Sequence, residues 1–414
     1  MDYIDLDSRQ KQNLGLLLGV SLFFWISITV LLPTLPTYVE YLGGTKPEIG
    51  LIMGSFAVGS LFSRTLLGYL ADTKSRKLVL YIGVIIAALS PLNYLFVQTI
   101  LPLSIVRAIH GISISAFTTA YSALVIDFSP IKHRGRVIGY MSLVTPIGMS
   151  IGPVFGDLLK ENFGYTTLFI VSSICGFLGL FLVVAMRKES NSNSYSSSGI
   201  NNNDSSHSFH KILSSHSLVI PTLVLLLIGL LFGTIITFLP LFLEEKGLEF
   251  SAGLFYTLAS ITSFLSRIFL GRVADKFGRG LFITTSILCY FSSMILLTQA
   301  TGSQQLYLAA IFEGIGAGIL MPMIITLVSD RSSPQERGQV YSVCLGGYDL
   351  GIALAGPIVG ILGSELTYQT IFTFSSNLAL IAFILFIVQS NPTIKTSLAF
   401  AIGKREDLLS LIHI

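Results

Sequence analysis

The sequence predicts an all-α integral membrane protein whose twelve transmembrane helices form two six-helix, pseudo-symmetric bundles. Three observations predict this fold class: charged residues are scarce, long uncharged runs recur along the chain, and one segment is repeated. Only 11% of the 414 residues are charged and 52% are hydrophobic, whereas roughly 25% of the residues of a soluble domain are charged. So much apolar surface requires lipid rather than water around it.

Twelve uncharged runs, bounded by charged or Gly/Pro loops, predict the membrane-spanning helices. Each run exceeds the ~17 residues that a helix needs to cross the hydrocarbon core, where its backbone groups must be satisfied within the helix. The first run is too long for the core of a signal peptide and is expected to be retained. The first six helices are predicted near 13–38, 50–70, 78–98, 101–125, 137–157 and 163–186. The second six are predicted near 218–243, 252–273, 281–299, 304–328, 339–362 and 367–390.

A Ser/Asn-rich segment, ESNSNSYSSSGINNNDSSHSFH, separates the two sets of helices. It has no apolar periodicity, which is typical of a flexible linker, and His207 and His210 within it lack the neighbours that a metal site needs. The expected organisation is an N-terminal bundle over 1–188, a cytoplasmic linker over 189–217, a C-terminal bundle over 218–392 and a cytoplasmic tail over 393–414. The last six residues, LSLIHI, resemble the translated end of a sequencing adapter, so we expect the natural C-terminus to differ.

Basic residues are concentrated on one side of the predicted membrane. Eighteen Lys and Arg residues fall in loops and tails on the side of the N-terminus, against Lys46, Lys160 and Lys246 on the other. Loops rich in Lys and Arg stay in the cytoplasm, so both termini are predicted to be cytoplasmic. Because no organelle signal is evident, the expected location is the plasma membrane, the inner membrane of a bacterium.

Several classes of function are excluded by composition and motifs. The net charge of +3, without a basic patch interleaved with aromatics, argues against nucleic-acid binding. Cys175, Cys289 and Cys344 lie in apolar stretches without CxxC spacing, so no metal site is expected. The sequence has no GxxxxGK[ST], HExxH or GxSxG motif. We therefore expect neither an enzyme nor a bound cofactor, and the energy for any work must come from a gradient.

A duplication relates the two halves. The segments SRTLLGYLADTKSR, from Ser63, and SRIFLGRVADKFGR, from Ser266, share seven of fourteen residues at an offset of 203. The same offset carries Gly111 onto Gly314 and Asp127 onto Asp330. Two parallel repeats of this kind are typical of secondary transporters.

These residues resemble the major facilitator superfamily over nearly the whole chain. Gly68 to Lys77 is similar to the family's G-x-x-x-D-x-x-x-R-K signature, although Thr73 and Ser75 depart from the usual basic residue and glycine. Arg107 to Gly111 resembles its R-x-x-x-G motif, and Gly148 to Gly156 resembles the G-x-x-x-G-P-x-x-G motif of its exporting branches. The resemblance implies the major facilitator fold and a monomeric carrier that works by alternating access.

The resemblance also implies a cytoplasmic gate, built from two copies of one set of charges. Those residues are Asp72, Arg76 and Asp127 in the first half and Asp275, Arg279 and Asp330 in the second. A carboxylate facing a helix N-terminus gains roughly 0.3–1 kcal/mol from the helix dipole, so Asp72 near the start of the eleventh helix, at Val340, would hold the gate closed. The alternative is that these charges only solvate loop ends and fix topology.

Small residues recur on the fifth and eleventh predicted helices. They are Gly148, Gly152, Pro153 and Gly156 in the first half and Gly347, Gly351, Gly356, Pro357 and Gly360 in the second. Glycines at this spacing let helices pack closely, and proline removes a backbone donor. The seam would limit leakage and set which side opens, or it would be purely structural.

Four ionisable residues are predicted within the membrane: Arg107, His110, Glu313 and Asp349. Such groups are expensive in lipid and usually line an internal path. Burial raises the proton affinity of an acid and a nearby arginine lowers it. A balance between these two effects suits proton coupling. The alternatives are a static bond from Arg107 to the first helix and a packing role for His110. Asp157 and Glu40 lie near the outer surface, where we expect them to cap helix ends.

The first functional hypothesis is a proton-coupled exporter of small drugs or metabolites. A proton-driven importer of a sugar or an organic anion is the second, because Arg107 could hold a carboxylate. A membrane scaffold or sensor without transport is the third. The expected partners are therefore a small-molecule substrate, protons and the lipid bilayer.

Overall fold

The computed structural model describes residues 7–130, 133–186, 216–333, 337–363 and 365–410 of the chain. The side chains of residue 216 and of residues 270–277 and 337–339 lie outside this description. Residues 187–215, which include most of the predicted linker with His207 and His210, and residues 411–414 also lie outside it.

Seven helices make up the described part of the first half. They are α1 (Ser8–Thr29), α2 (Thr34–Tyr41), α3 (Lys46–Thr73), α4 (Arg76–Phe96), α5 (Ile100–Phe128), α6 (Arg134–Ser142) and α7 (Val144–Ala185). Seven more follow in the second half. They are α8 (His216–Lys246), α9 (Ala252–Phe277), α10 (Arg279–Thr298), α11 (Ser303–Asp330), α12 (Arg337–Leu362), α13 (Tyr368–Gln389) and α14 (Ile394–Ala401).

Eleven helical segments of the described chain are long and apolar enough to cross a membrane. One of them, Arg134–Ala185, has 52 residues and contains two predicted crossings, 137–157 and 163–186. Gly164 breaks it with φ 76°, a left-handed conformation that glycine adopts readily. The predicted all-α membrane fold is thus confirmed.

The first predicted helix, 13–38, is divided in the structure. α1 ends at Thr29, and α2 begins at Thr34, directly after Pro33. Proline has no N–H and its ring clashes with the preceding turn, so the helical hydrogen bonds are interrupted there. The position of the break therefore follows from one residue that a hydropathy pattern does not register.

The chain forms two compact units. The first comprises Met1–Lys188, Ile235–Ile261 and Gly356–Glu365, and the second comprises Glu189–Thr234, Thr262–Ala355 and Leu366–Ile414. The first unit therefore includes the end of α8, the start of α9 and the end of α12, in addition to α1 to α7.

Buried serines join helices in each unit. In the first, Ser27 of α1 and Ser172 of α7 donate hydroxyl hydrogen bonds to each other's backbone carbonyl, both at 2.8 Å. In the second, Ser286 of α10 donates to the carbonyl of Gly316 in α11 at 2.6 Å. Small hydroxyl residues allow helices to approach closely in lipid and supply polar contacts that lipid cannot.

A buried arginine fixes the C-terminal tail to the second unit. The side chain of Arg331 is 0% exposed, and its guanidinium binds both carboxylate oxygens of Asp407, at 2.7 and 2.9 Å. It also donates to the carbonyls of Ser217 and Ser390, each at 2.7 Å. One side chain thus ties together the end of α11, the start of α8, the end of α13 and the tail; we call this set the Arg331 clamp.

The Arg331 clamp predicts a stability defect for Asp407→Asn. Removing one charge of a buried pair costs about 3–5 kcal/mol, so the apparent melting temperature in detergent should fall. The measurement is the exposure of the buried cysteines Cys289 and Cys344 to a thiol-reactive fluorogenic dye during heating. Glu365→Gln, a change at an exposed turn after α12, should stay within ±0.5 kcal/mol; equal melting of the two variants would contradict the prediction.

Candidate functional site

Two glycines bring α3 and α5 into backbone contact. A Cβ atom at Gly111 would collide with the carbonyl oxygen of Phe56, and one at Gly59 would collide with that of Ala108. The R-x-x-x-G pattern therefore has a direct physical meaning in this chain: Gly111 permits the approach, and Arg107, one turn earlier, is carried to the α3 interface.

Arg107 is buried against an aromatic ring. Its guanidinium carbon lies 4.1 Å from the centroid of the Phe56 ring, which is within the range of a cation–π contact. Its Nε and Nη1 atoms are buried and have no hydrogen-bond partner in the described structure. The Nε–H and Nη1–H bonds point to different sides of the planar guanidinium, so each is available for a separate hydrogen bond to an anionic oxygen.

His110 lies next to Arg107 on α5 and is fully buried. Its Nδ1 is 2.8 Å from the hydroxyl of Tyr94 in α4, and the Tyr94 carbonyl accepts a hydrogen bond from Tyr38 at 2.8 Å. The Phe56 ring meets the imidazole edge to face at 5.5 Å. The Nε2 atom, like the two arginine nitrogens, has no partner among the described residues.

The second unit holds the predicted acids. Glu313 of α11 is buried, and its Oε1 has no hydrogen-bond partner in the described part of the chain. Tyr348 of α12 lies within electrostatic range of Glu313 and of its sequence neighbour Asp349, and Tyr290 of α10 lies within range of Glu313. The structure thus brings both predicted acids to one tyrosine, a grouping that sequence spacing did not reveal.

The predicted gate charges form the same pair in each unit. Arg76 pairs with Asp127 and Arg279 pairs with Asp330. Each arginine also donates to a carbonyl one turn before its aspartate, that of Ala123 at 3.4 Å and that of Thr326 at 3.5 Å.

The repeat offset of 203 carries the ion pair and the carbonyl contact of Arg76 onto those of Arg279. The duplication therefore preserves geometry as well as residue type. Asp72 is exposed at the end of α3. Asp275 falls in the range 270–277, whose side chains lie outside the described structure.

The glycine stripe of α7 packs against α1. Cβ atoms at Gly148, Gly152 and Gly156 would collide with Trp25, Thr29 and Val30, respectively. Thr29 also donates its hydroxyl hydrogen bond to the carbonyl of Gly148 at 3.1 Å. Pro153, between these glycines, is buried in the same helix.

The stripe on α12 has two different neighbours. In the second unit, Gly347 and Gly351 meet the backbone of α8 at Thr222 and Leu226, which repeats the packing of α7 on α1. In the first unit, Gly356 and Gly360 meet the start of α3 at Gly50 and Lys46. Pro357 lies between these last two glycines, where α12 passes to the first unit.

A further contact in the first unit joins α7 to α9. The Asp157 carboxylate accepts a hydrogen bond from the backbone N–H of Gly253 at 2.6 Å, in the first turn of α9. A carboxylate there is stabilised by the helix dipole. Nearby, Lys160 pairs with Glu244 of α8, beside a cleft of about 440 Å³ lined by Asp157, Lys160, Glu161, Glu244 and Glu249 among others.

Sequence reasoning expected Asp157 to cap a helix end, but it did not identify which one. Asp157 and Gly253 are 96 positions apart, and no local sequence pattern connects them. The acid directly after the G-x-x-x-G-P-x-x-G stripe was the available signal. Within the described residues, no three His, Cys, Asp or Glu side chains come together as metal ligands.

Comparisons with known proteins agree with this geometry. A family model described as Major Facilitator Superfamily matches residues 17–298 and 249–406. An uncharacterized MFS-type transporter of Methanocaldococcus jannaschii is 24% identical over 360 residues, which cover 85% of this chain and 91% of the relative. The multidrug resistance protein MdtG of Escherichia coli is 24% identical over 365 residues, which cover 86% of this chain and 88% of the relative.

Solved structures share the fold. The nucleoside transporter NupG superposes with a TM-score of 0.77 at 18% identity, over 91% of this chain and 99% of that one. The human organic anion transporter MFSD10 superposes with a TM-score of 0.63 at 18% identity, over 92% of this chain and all of that one. At such identities the likeness establishes the architecture and not the substrate.

The α3–α5 seam predicts that Gly111→Ala is destabilising. The new methyl group would force α3 and α5 apart, and overpacking of this kind costs typically 1–3 kcal/mol. Gly139→Ala is the matched control, because nothing lies within 4 Å of a Cβ atom there and alanine favours a helix by about 1 kcal/mol. Melting temperature and yield of monodisperse protein should fall for the first variant only. A Gly111→Ala protein as stable as the control would contradict the proposed role of the seam.

Proposed function

The chain belongs to the Major Facilitator Superfamily, and from this premise we propose that it is a proton-coupled exporter of small organic molecules. Family membership makes it a multi-pass secondary transporter, so that it is a carrier and not an enzyme. The proposal concerns the direction of transport, the coupling ion, the class of substrate and the residues that bind protons and substrate.

One observation carries the proposal: buried ionisable groups retain unsatisfied polar atoms. Arg107 and His110 in the first unit, and Glu313 in the second, are all buried, and each has at least one nitrogen or oxygen without a hydrogen-bond partner in the described structure. Leaving such atoms unpaired costs about 1–3 kcal/mol, and more for charged groups. A fold that accepts this penalty at positions related by its own repeat, His110 and Glu313, keeps them available for protons or substrate.

In the proposed cycle, protons exchange at Glu313 and Asp349, and substrate meets Arg107 and His110. Tyr348, which is in electrostatic range of both acids, would couple their charges. Protonation makes each acid neutral and so lowers the free-energy cost of burying it. It therefore favours a conformation in which the acid is buried, which a charged acid disfavours. A proton that moves inward is worth roughly 2.3 kcal/mol per 100 mV of membrane potential.

Two sets of contacts would alternate as gates. The ion pairs Arg76–Asp127 and Arg279–Asp330, with Asp72 and Asp275, would form the cytoplasmic gate. The Asp157 contact to α9 would form the outer gate, with the glycine stripes of α7 and α12 as the surfaces on which the helices move. Each gate uses charge–dipole or charge–charge contacts, which contribute about 1 kcal/mol when exposed and up to about 2 kcal/mol when partly buried, weak enough to break during every cycle.

The topology follows from the charge bias of the loops. We propose that both termini are cytoplasmic and that the protein lies in the plasma membrane, with six helices on either side of a cytoplasmic linker. Residues 1–188 and 218–392 would be the two bundles and 393–414 the tail. Export is favoured over import by the G-x-x-x-G-P-x-x-G pattern and by the relationship to MdtG, whose name describes multidrug resistance.

Uptake of an organic anion is the second candidate. The unpartnered Nε and Nη1 of Arg107 favour it, because each can donate a charge-assisted hydrogen bond to an anionic oxygen. The solved organic anion transporter MFSD10 shares the fold. Counterflow in inverted vesicles distinguishes the two candidates by the direction in which substrate accumulates.

Neutral amides at the two acids should abolish coupling. We expect Glu313→Gln and Asp349→Asn, purified and placed in proteoliposomes, to lose substrate-induced proton movement, because an amide cannot exchange a proton in the physiological range. The measurement is the signal of a trapped pH-sensitive dye during a panel of drugs and metabolites. Glu365→Gln, at an exposed turn after α12, should keep the full signal. A scaffold or sensor would show no proton signal in any of these proteins.

Arg107 variants should separate anionic from neutral substrates. Loss of a hydrogen bond to a charged group costs about 1.5–3 kcal/mol, so Arg107→Gln should weaken an anionic substrate roughly 10- to 100-fold and leave a neutral one nearly unchanged. Arg107→Lys keeps the charge but loses the planar set of donors. Its affinity for the anionic substrate should therefore lie between those of the unchanged protein and of Arg107→Gln. Equal effects on anionic and neutral compounds would mean that Arg107 serves packing or protons rather than substrate charge.

A further inference from the structure

The short helix α14 presents an uncovered apolar stripe. Ile394, Leu398 and Ile402 are 66%, 47% and 44% exposed, respectively. Residues four and eight positions apart lie within an arc of about 80° on a helix, so these three side chains form one continuous edge. A single exposed leucine is unremarkable in a protein, but an aligned set of three large aliphatic side chains requires a surface to cover it.

The opposite face of α14 is firmly attached to the second unit. Ser397, Phe400 and Ala401 are buried, and the rings of Phe400 and Phe386 lie 6.1 Å apart. A Cβ atom at Gly280 would collide with the carbonyl oxygen of Phe400, so α14 touches the backbone of α10.

Hydrogen bonds also fix the start of α14. The hydroxyl of Ser397 accepts from the N–H of Asn391 at 2.8 Å and donates to its carbonyl at 3.0 Å. The Arg331 clamp holds the chain beyond the helix, at Asp407. Because both ends and one face are held, the apolar stripe is presented in one fixed direction.

These contacts place α14 at the depth where the membrane-spanning helix α13 ends. Phe386 lies one turn before Gln389, the last residue of α13, and it is the residue that meets Phe400. One turn of helix rises 5.4 Å, and the headgroup region extends roughly 5–8 Å beyond the hydrocarbon core on each side. We therefore expect the stripe at the boundary between acyl chains and headgroups.

Basic residues predominate around the stripe. Residues 394–405 contain Lys395, Lys404 and Arg405 and no acidic residue, and all three side chains are exposed. Two acidic residues follow: Glu406 is exposed, and Asp407 is bound by the buried Arg331, so the exposed charges from 394 to 406 are three basic and one acidic. An apolar edge bordered by lysine and arginine is the pattern of helices that lie on anionic membrane surfaces.

We propose that α14 is an interfacial helix, with Ile394, Leu398 and Ile402 in the acyl–headgroup boundary and its three basic residues on anionic lipid headgroups. The lipid surface is the leaflet at which α13 ends. The inference does not depend on the substrate or on proton coupling, because it uses only the membrane-spanning fold and the docked tail. Anionic lipid would thus bind to the segment that is tied through Arg331 to α8 and α11, and would stabilise the helix ends that surround the Arg279–Asp330 pair.

The first test measures the depth of residue 398. A nitroxide is attached to Leu398→Cys in the full chain, with Cys175, Cys289 and Cys344 replaced by alanine, in nanodiscs of phosphatidylcholine with phosphatidylglycerol. Phe181→Cys, on an exposed apolar position of α7, is the lipid reference, and Glu365→Cys is the water reference. Residue 398 should resemble residue 181 in its preference for collision with oxygen over a water-soluble nickel complex. A label that resembles residue 365 would overturn the proposal, as would shielding from both reagents with spin–spin broadening, which would mean a second protein on the stripe.

The second test measures the role of charge. Hydrogen exchange of residues 394–405 is compared in nanodiscs of phosphatidylcholine alone and in nanodiscs that also contain phosphatidylglycerol. Each basic residue near an anionic surface contributes about 1 kcal/mol, which is about fivefold in exchange rate, so exchange should slow in the anionic discs. The combined variant Lys395→Gln, Lys404→Gln and Arg405→Gln should lose this difference. Identical exchange in both lipids, or an undiminished response in the variant, would overturn the assignment of anionic headgroups.

Discussion

The close approach of helix backbones at glycine is the constraint on which the rest of this structure depends. In lipid, helices gain little from hiding apolar surface and must instead gain from packing and from internal hydrogen bonds. Gly59 and Gly111 bring α3 to α5, and the stripe at Gly148 and Gly152 brings α7 to α1. The polar groups follow from this packing: Ser27 reaches a carbonyl of α7 because the helices are already near, and the guanidinium of Arg107 lies on Phe56 because Gly111 has no side chain.

Features set by local chemistry could be predicted from the sequence. Hydropathy located the membrane spans, because a run of apolar residues has few alternatives in a chain with so little charge. The resemblance and the duplication group Arg76 with Asp127 and Arg279 with Asp330 in two matching sets of charges, and the structure forms one ion pair within each set. The break at Pro33 and the turn at Gly164 were not predicted, although both follow from the chemistry of single residues, because hydropathy averages over them.

Features set by distant contacts could not be predicted. Arg331 was counted only as one of the loop charges, whereas in the structure it is buried with a partner 76 residues away. The partner of Asp157 is a backbone N–H in another helix, and a backbone group has no signature in the sequence. Tyr94 lies within hydrogen-bonding distance of His110, and Tyr348 lies within electrostatic range of the two acids. Both look like ordinary core aromatics until the neighbouring helices are in place.

The Arg331 clamp also limits the order in which its parts could have arisen. The repeat-related position in the first half is Phe128, a buried apolar residue, so the same enclosed position holds an apolar side chain in one copy and a charged one in the other. An aspartate on an exposed tail is tolerated without a partner, whereas an enclosed guanidinium without a carboxylate is strongly destabilising. The tail carboxylate is therefore the permissive substitution and the arginine the dependent one. Once both were present, the carboxylate could no longer be lost alone, because the enclosed guanidinium would be left without its charge partner.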